Sequence, residues 1–139
     1  TSLLTLHTDS SQSDSVFQVN LWIPFVNVKK TKSMFILPPK INQYYYKNLK
    51  QFNSSEKIYN HSEKKLKWLN LKYGQGLIFS QNLLHGNVKN LETTSRWSFN
   101  CRFKSLFSPY NKKKIGEYFL PLNLKPASKY GMNYEEPEI

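Results

Sequence analysis

The chain has 139 residues, enough for one ordinary domain with a buried core. It has a single cysteine, which rules out an internal disulfide, and no apolar run of the length a membrane span needs. Twenty basic residues against nine acidic ones leave a formal charge of +11, yet all but two of the basic residues are lysines. Only Arg96 and Arg102 carry the guanidinium fork that base reading favours, and the lysines are scattered through a chain rich in Asn, Tyr and Ile. They read as a solvated surface, so neither a specific nucleic-acid partner nor a membrane partner is expected. Cys101 fits a reducing, cytoplasmic setting as a small core hydrophobe.

The first feature in chain order is the apolar run at residues 3–6 followed by His7-Thr8-Asp9. In a strand, positions i and i+2 point the same way, so His7 and Asp9 would aim a nitrogen and an oxygen at one point. Residues 16–28 alternate as a long strand. Phe17, Val19, Leu21, Ile23 and Phe25 form one apolar face, with Gln18, Asn20 and Trp22 on a mixed face opposite. A "KKTK" turn leads to "SMFILPP", a short strand stopped by Pro38 and Pro39. Residues 42–52 are compatible with a short helix, and 53–63 with a polar loop that carries His61. "KLKWLNLKY" alternates again, Gly74-Gln75-Gly76 turns the chain, and "LIFS" is a short buried strand.

His85-Gly86 follows that strand, at the kind of strand end where a side chain is presented into a cavity. "RWSFNCRF" closes the set, with Arg96, Ser98, Asn100 and Arg102 on one face and Trp97, Phe99, Cys101 and Phe103 on the other. From residue 108 onward four prolines break the chain into an irregular tail, residues 108–139. Many short strands separated by turn signals argue for a mainly β, antiparallel sandwich or jelly roll with one or two short helices. The Trp-Phe-Cys-Phe face of the last strand needs a cover that few predicted helices can supply. The expectation is therefore an N-terminally truncated barrel, with residues 1–107 forming the C-terminal part of the domain.

His85 offers a third ligand to His7 and Asp9. Two histidines and one carboxylate on one side of a metal leave the opposite positions open, as in the non-haem Fe(II) oxygenases, although zinc hydrolases use similar sets. What lies beyond His85 separates these alternatives. His-x-Asp, a distal His followed by Gly, Asn90 five residues on and Arg96 eleven residues on resemble the phytanoyl-CoA-hydroxylase-like branch of the Fe(II)/2-oxoglutarate dioxygenases. The strings "HTDSSQSDSVFQVNLWIPFVNV", "KSMFILP" and "SRWSFNCRF" are similar to a bacterial subgroup associated with carbohydrate biosynthesis clusters.

The resemblance implies a double-stranded β-helix of the jelly-roll or cupin kind. It implies that His7, Asp9 and His85 bind Fe(II), and that Arg96, helped by Ser98, grips the distal carboxylate of 2-oxoglutarate, with O2 as the second cosubstrate. The implied reaction hydroxylates or otherwise oxidises a sugar or sugar-containing small molecule, releasing succinate and CO2. Asp9 is the residue that family halogenases replace by a small one, which favours hydroxylation. "PPKIN" stands where the family has "PGSH". Gln18, Asn20, Trp22 and Arg102 are further contacts to cosubstrate or substrate, whereas Asn87 and Asn90 shape the loop after His85. The alternative function is a non-catalytic jelly-roll module that binds carbohydrate without turnover.

Overall fold

A computed structural model describes residues 6–122 and Tyr130. Six strands, β1 (Gln18–Pro24), β2 (Phe35–Ile36), β3 (Lys67–Trp68), β4 (Leu77–Ser80), β5 (His85–Gly86) and β6 (Ser98–Lys104), form two antiparallel three-stranded sheets. The larger has the order β4-β1-β6 and the smaller β3-β2-β5. Three helices, α1 (Pro39–Lys47), α2 (Leu49–Phe52) and α3 (Ser55–Ser62), lie between β2 and β3 in sequence. The described residues thus combine helices with two small antiparallel sheets, and no closed barrel forms among them.

The helical segment follows from its residue types. Pro39 occupies the first helical position, where a missing N–H costs nothing and the fixed φ suits the helix. The "PP" that stops β2 therefore also starts α1. Ile41, Tyr45, Leu49 and Phe52 recur at helical spacing and pack on the cluster that contains Leu6, Phe35, Leu37, Ile58 and Leu84. Asn53 ends α2 in the left-handed conformation, and Ser54 caps α3 by accepting from Lys57 N at 3.1 Å. The polar loop expected at 53–63 is for the most part this helix. Ile58 and Tyr59 supply its apolar contact, which is too narrow to show as a periodic pattern. His61 sits in its last turn, with Nδ1 2.8 Å from the hydroxyl of the buried Tyr45.

β2 is covered on both sides, as its continuous apolar run requires. Phe35 faces the helices, while Met34 and Ile36 join the second cluster, which brings in Trp22 of β1, Phe79 of β4, Val28, Leu69 and Leu83. That second cluster packs the two sheets together. Gly76 lies close under β1, and a Cβ there would stand 3.2 Å from the Trp22 carbonyl oxygen. A side chain in the turn before β4 would therefore press on the β1 backbone and the Ile23 side chain, which would have to shift by a few tenths of an ångström.

The two faces of β1 are reversed relative to a simple polarity reading. Gln18, Asn20, Trp22 and Pro24 are buried, whereas Val19, Phe17 and Phe25 are exposed. On the same outer face Ile78 is 69% and Phe99 47% exposed, and Cys101 is only half-buried beside Leu21 rather than in the core. The polar residues of the larger sheet point inward because the candidate site lies there. Between residues 108 and 122 the tail shows turns and an isolated bridge between Ile115 and Phe119, and apart from Tyr130 the rest of the tail expected at 108–139 lies outside the described residues. The described part is tied down: Ser15 Oγ donates to the Pro109 carbonyl at 2.7 Å, and Lys104 Nζ sits 3.4 Å above the Tyr110 ring.

Candidate metal centre

His7 and His85 are direct cross-strand partners. The His7 N–H donates to the His85 carbonyl at 2.9 Å and the His85 N–H donates back at 3.0 Å. Their rings lie with centroids 4.4 Å apart, brought together by the backbone ladder itself. Asp9 reaches them differently from the strand geometry anticipated for His-x-Asp. Thr8 is extended and caps a 3-10 turn at Asp9–Gln12, its hydroxyl accepting from Ser11 N at 3.3 Å, so Asp9 is the first residue of that turn. The turn swings the carboxylate back over the histidine pair. Oδ1 of Asp9 lies 3.3 Å from His7 Nε2 and 3.7 Å from His85 Nε2.

One donor atom from each of the three residues falls within 4.8 Å of the others. Ligand bonds of about 2.1 Å at right angles place donor atoms about 3 Å apart, so two imidazoles and a carboxylate in this arrangement fit one first-row divalent metal ion after small adjustment. The tautomer is suitable. His85 Nδ1 donates to the Leu83 carbonyl at 2.8 Å, which leaves Nε2 as the lone-pair atom facing Asp9. Burial pushes the His85 imidazole below its usual value, which favours the neutral form a metal requires, with Asp9 opposing and His7 and Arg102 assisting.

The second oxygen of Asp9 is held from outside. Asn20 Nδ2 donates to Oδ2 at 2.5 Å and Arg102 Nη2 lies 3.3 Å away, while Gln81 Nε2 donates to Asn20 Oδ1 and fixes the amide in turn. Burial alone would raise the Asp9 carboxyl, but hydrogen bonds from His7 and Asn20 and the charges of His85 and Arg102 outweigh it. The group is held well below the ordinary carboxylate range. Asp9 is thus ionised and presents Oδ1 toward the two histidines.

A cavity of about 220 Å³ opens at this point, with His7, Asp9, Trp22, Phe79 and His85 at its base. Arg96, Ser98, Asn100 and Arg102 all line it, so the alternation of the last strand is as read. The register pairs Trp22 with Asn100 and Asn20 with Arg102, which places the polar faces of β1 and β6 side by side. The two arginines differ. Arg102 is engaged by Asp9, Asp14 and Tyr118. Arg96 is half-buried with its Cζ 5.8 Å from the centre of the Trp22 ring, and no described carboxylate pairs with it. Burial pushes its pKa down, though a guanidinium stays charged.

Asn20 and Trp22 serve the site in different ways, Asn20 by holding Asp9 and Trp22 by lining the cavity. Gln18, buried two residues earlier, does not line the cavity, and its amide has no hydrogen-bond partner among the described residues. Asn90 shapes its loop by donating to the Thr94 carbonyl at 2.9 Å, whereas Asn87 lines the cavity with Oδ1 buried and without a hydrogen-bond partner among the described residues. Gln81, Gln12 and Met34 are members that the sequence did not single out. Gln81 immediately follows "LIFS", and only the fold places it against Asn20. Compared with known protein families, curated proteins and solved structures, the chain matches none.

Proposed function

We propose that the protein is an Fe(II)- and 2-oxoglutarate-dependent oxygenase built on part of a jelly-roll domain. The observation that carries this reading is the pairing of a His7-Asp9-His85 ligand set with Arg96, a half-buried guanidinium without a carboxylate partner among the described residues, in the same cavity. Iron bound there with 2-oxoglutarate and O2 would supply oxidative decarboxylation to succinate and CO2, coupled to hydroxylation of an unactivated carbon. The protein's own part is positional. His85 Nδ1 is committed to Leu83, and Asp9 Oδ2 to Asn20 and Arg102, so the remaining donor atoms converge on one point.

Arg96 and Ser98 offer a fork and a hydroxyl to the distal carboxylate of 2-oxoglutarate, and Trp22 backs the guanidinium with its ring face. Gln12, Asn87 and Asn100 place amides around the cavity rim, a lining suited to a hydroxylated substrate such as a sugar. No nucleic-acid or membrane partner is assigned, and among the described residues no helix is long and apolar enough to cross a membrane. A non-catalytic carbohydrate-binding module is the second reading, favoured by the lack of a closed barrel among the described residues. It predicts sugar binding that is indifferent to metal.

Anaerobic titration of 2-oxoglutarate into the Fe(II)-loaded chain, followed by the metal-to-ligand charge-transfer band, tests the first reading. Arg96→Lys keeps the charge and loses the fork. A hydrogen bond to a charged group is worth about 1.5–3 kcal/mol, so 2-oxoglutarate affinity should fall roughly ten- to hundredfold with metal affinity intact. A wild-type chain with no such band, or unaltered affinity in Arg96→Lys, would defeat the assignment.

A further inference from the structure

Arg102 sits at the centre of a chain of charges that begins in the irregular C-terminal segment and ends on Asp9. Its Nη2 lies 3.3 Å from Asp9 Oδ2 and its Nε 3.7 Å from Asp14 Oδ2, and its Nη1 donates to the Tyr118 hydroxyl at 2.9 Å. Asp14 is buried as deeply as Asp9, and Lys113 Nζ donates to both its oxygens at 2.8 Å. Asn111 adds a longer bond to the Asp14 carbonyl, at 3.4 Å. Lys113 Nζ also lies 4.6 Å from the centre of the Tyr118 ring, so the two tail residues support each other. Two buried carboxylates this close to one guanidinium carry one charge more than it can balance, and Lys113 supplies the remainder.

We propose that residues 109–119 complete the metal centre from outside. Lys113 and Tyr118 hold Asp14 and Arg102 in place, so that Arg102 acts as a positioning residue that pins Oδ2 of Asp9 and leaves Oδ1 as the ligand atom. The inference rests on the reading that His7, Asp9 and His85 bind a divalent metal. It adds that side chains about a hundred positions away in sequence, which touch no ligand, set the geometry of that binding. Outer partners of metal ligands of this kind typically alter affinity ten- to a hundredfold.

The sign of the effect separates positioning from simple charge. Removing a cation near a bound dication relieves repulsion and, by Coulomb's law alone, tightens metal binding. Loss of positioning weakens it. The probe is Co(II), titrated into the full chain and followed by its d–d absorption, with folding checked by circular dichroism.

Arg102→Met is expected to raise the Co(II) Kd roughly ten- to hundredfold and to alter the d–d band shape, because Asp9 then keeps only the Asn20 bond at Oδ2 and its carboxylate can rotate away from the ligand position. Arg102→Lys should recover part of the affinity. Lys113→Met should raise the Kd about threefold, and Lys112→Met, which removes the same charge from an exposed neighbour with no carboxylate partner among the described residues, should leave it unchanged. Should Arg102→Met fail to fold, Lys113→Met and Tyr118→Phe decide the question, since both residues are on the irregular segment. Tighter or unchanged Co(II) binding in folded Arg102→Met, or in Lys113→Met, overturns the proposal while leaving the metal reading intact. A wild-type chain that binds no Co(II) overturns both.

Discussion

The two sheets handle the same building material in opposite ways. In the β3-β2-β5 sheet the central strand presents apolar residues on both faces and covers both, Phe35 beneath the helices and Met34 and Ile36 toward the second sheet. The β4-β1-β6 sheet turns its polar face inward around Asp9 and leaves Val19, Ile78 and Phe99 outward and accessible. Burial in the first sheet is a matter of removing apolar surface from water. In the second, burial is dictated by the carboxylate of Asp9, which requires Asn20, Gln81 and Arg102 around it once it is inside. A side chain's polarity therefore does not say which way it faces where a charged site has to be assembled.

This contrast can be broken experimentally, most strongly at Phe35. Its ring is fully buried, 5.1 Å from Trp68 and 5.7 Å from Tyr59 between centroids. Phe35→Ala should cost about 3–5 kcal/mol in urea unfolding of the metal-free chain, the usual range for emptying a buried aromatic site. A loss below about 1 kcal/mol would mean that the helices do not close over β2 as described.

A smaller effect belongs to the polar face and depends on pH. Burial lowers the His85 pKa, and the hydrogen bonds and charges around Asp9 lower that of the carboxylate against the opposing effect of burial. As pH falls through about 6.5, an unfolded histidine takes up a proton that folded His85 does not. The unfolded state then binds more protons, and stability falls. The same loss recurs for Asp9 below about pH 4. Both contributions are fully present above these values and are lost in acid. Urea midpoints of the metal-free chain between pH 7.5 and 5 should therefore decline, and His85→Asn, which keeps a donor toward Leu83, should flatten that decline. An equally steep decline in the variant would place the acid sensitivity elsewhere.

The smallest effect is expected on the outward apolar face. Ile78→Thr exchanges an exposed β-branched residue for another of good strand propensity, so stability should change by no more than about 0.5 kcal/mol. Binding of a hydrophobic dye should fall at the same time. A loss of 2 kcal/mol or more would show that this face is covered in solution.

The alternation of "RWSFNCRF", the strand at "LIFS" and the convergence of His7, Asp9 and His85 were all legible from residue order. Each rests on a local period or on a chemical type that few residues supply, and Arg96 and Arg102 stood out because a lysine-rich chain keeps only two guanidinium groups. The helix α3, capped by Ser54, was not legible, because Ile58 and Tyr59 are the only apolar residues it packs on the core and no periodic signal marks it.

Other features depend on partners distant in the chain, and no local pattern encodes them. Period two says which residues share a face of β1 but is silent on which face is inward; that depended on Asp9, swung over the site by a 3-10 turn rather than a strand. The assignment of the arginines is of the same kind. Arg96 and Arg102 lie on one face in sequence, yet Asp9, Asp14 and Tyr118 engage only Arg102, across separations of up to 93 residues. Electrostatic neutralisation acts through space, and so it is the fold that pairs Arg102 with carboxylates and leaves Arg96 without one among the described residues.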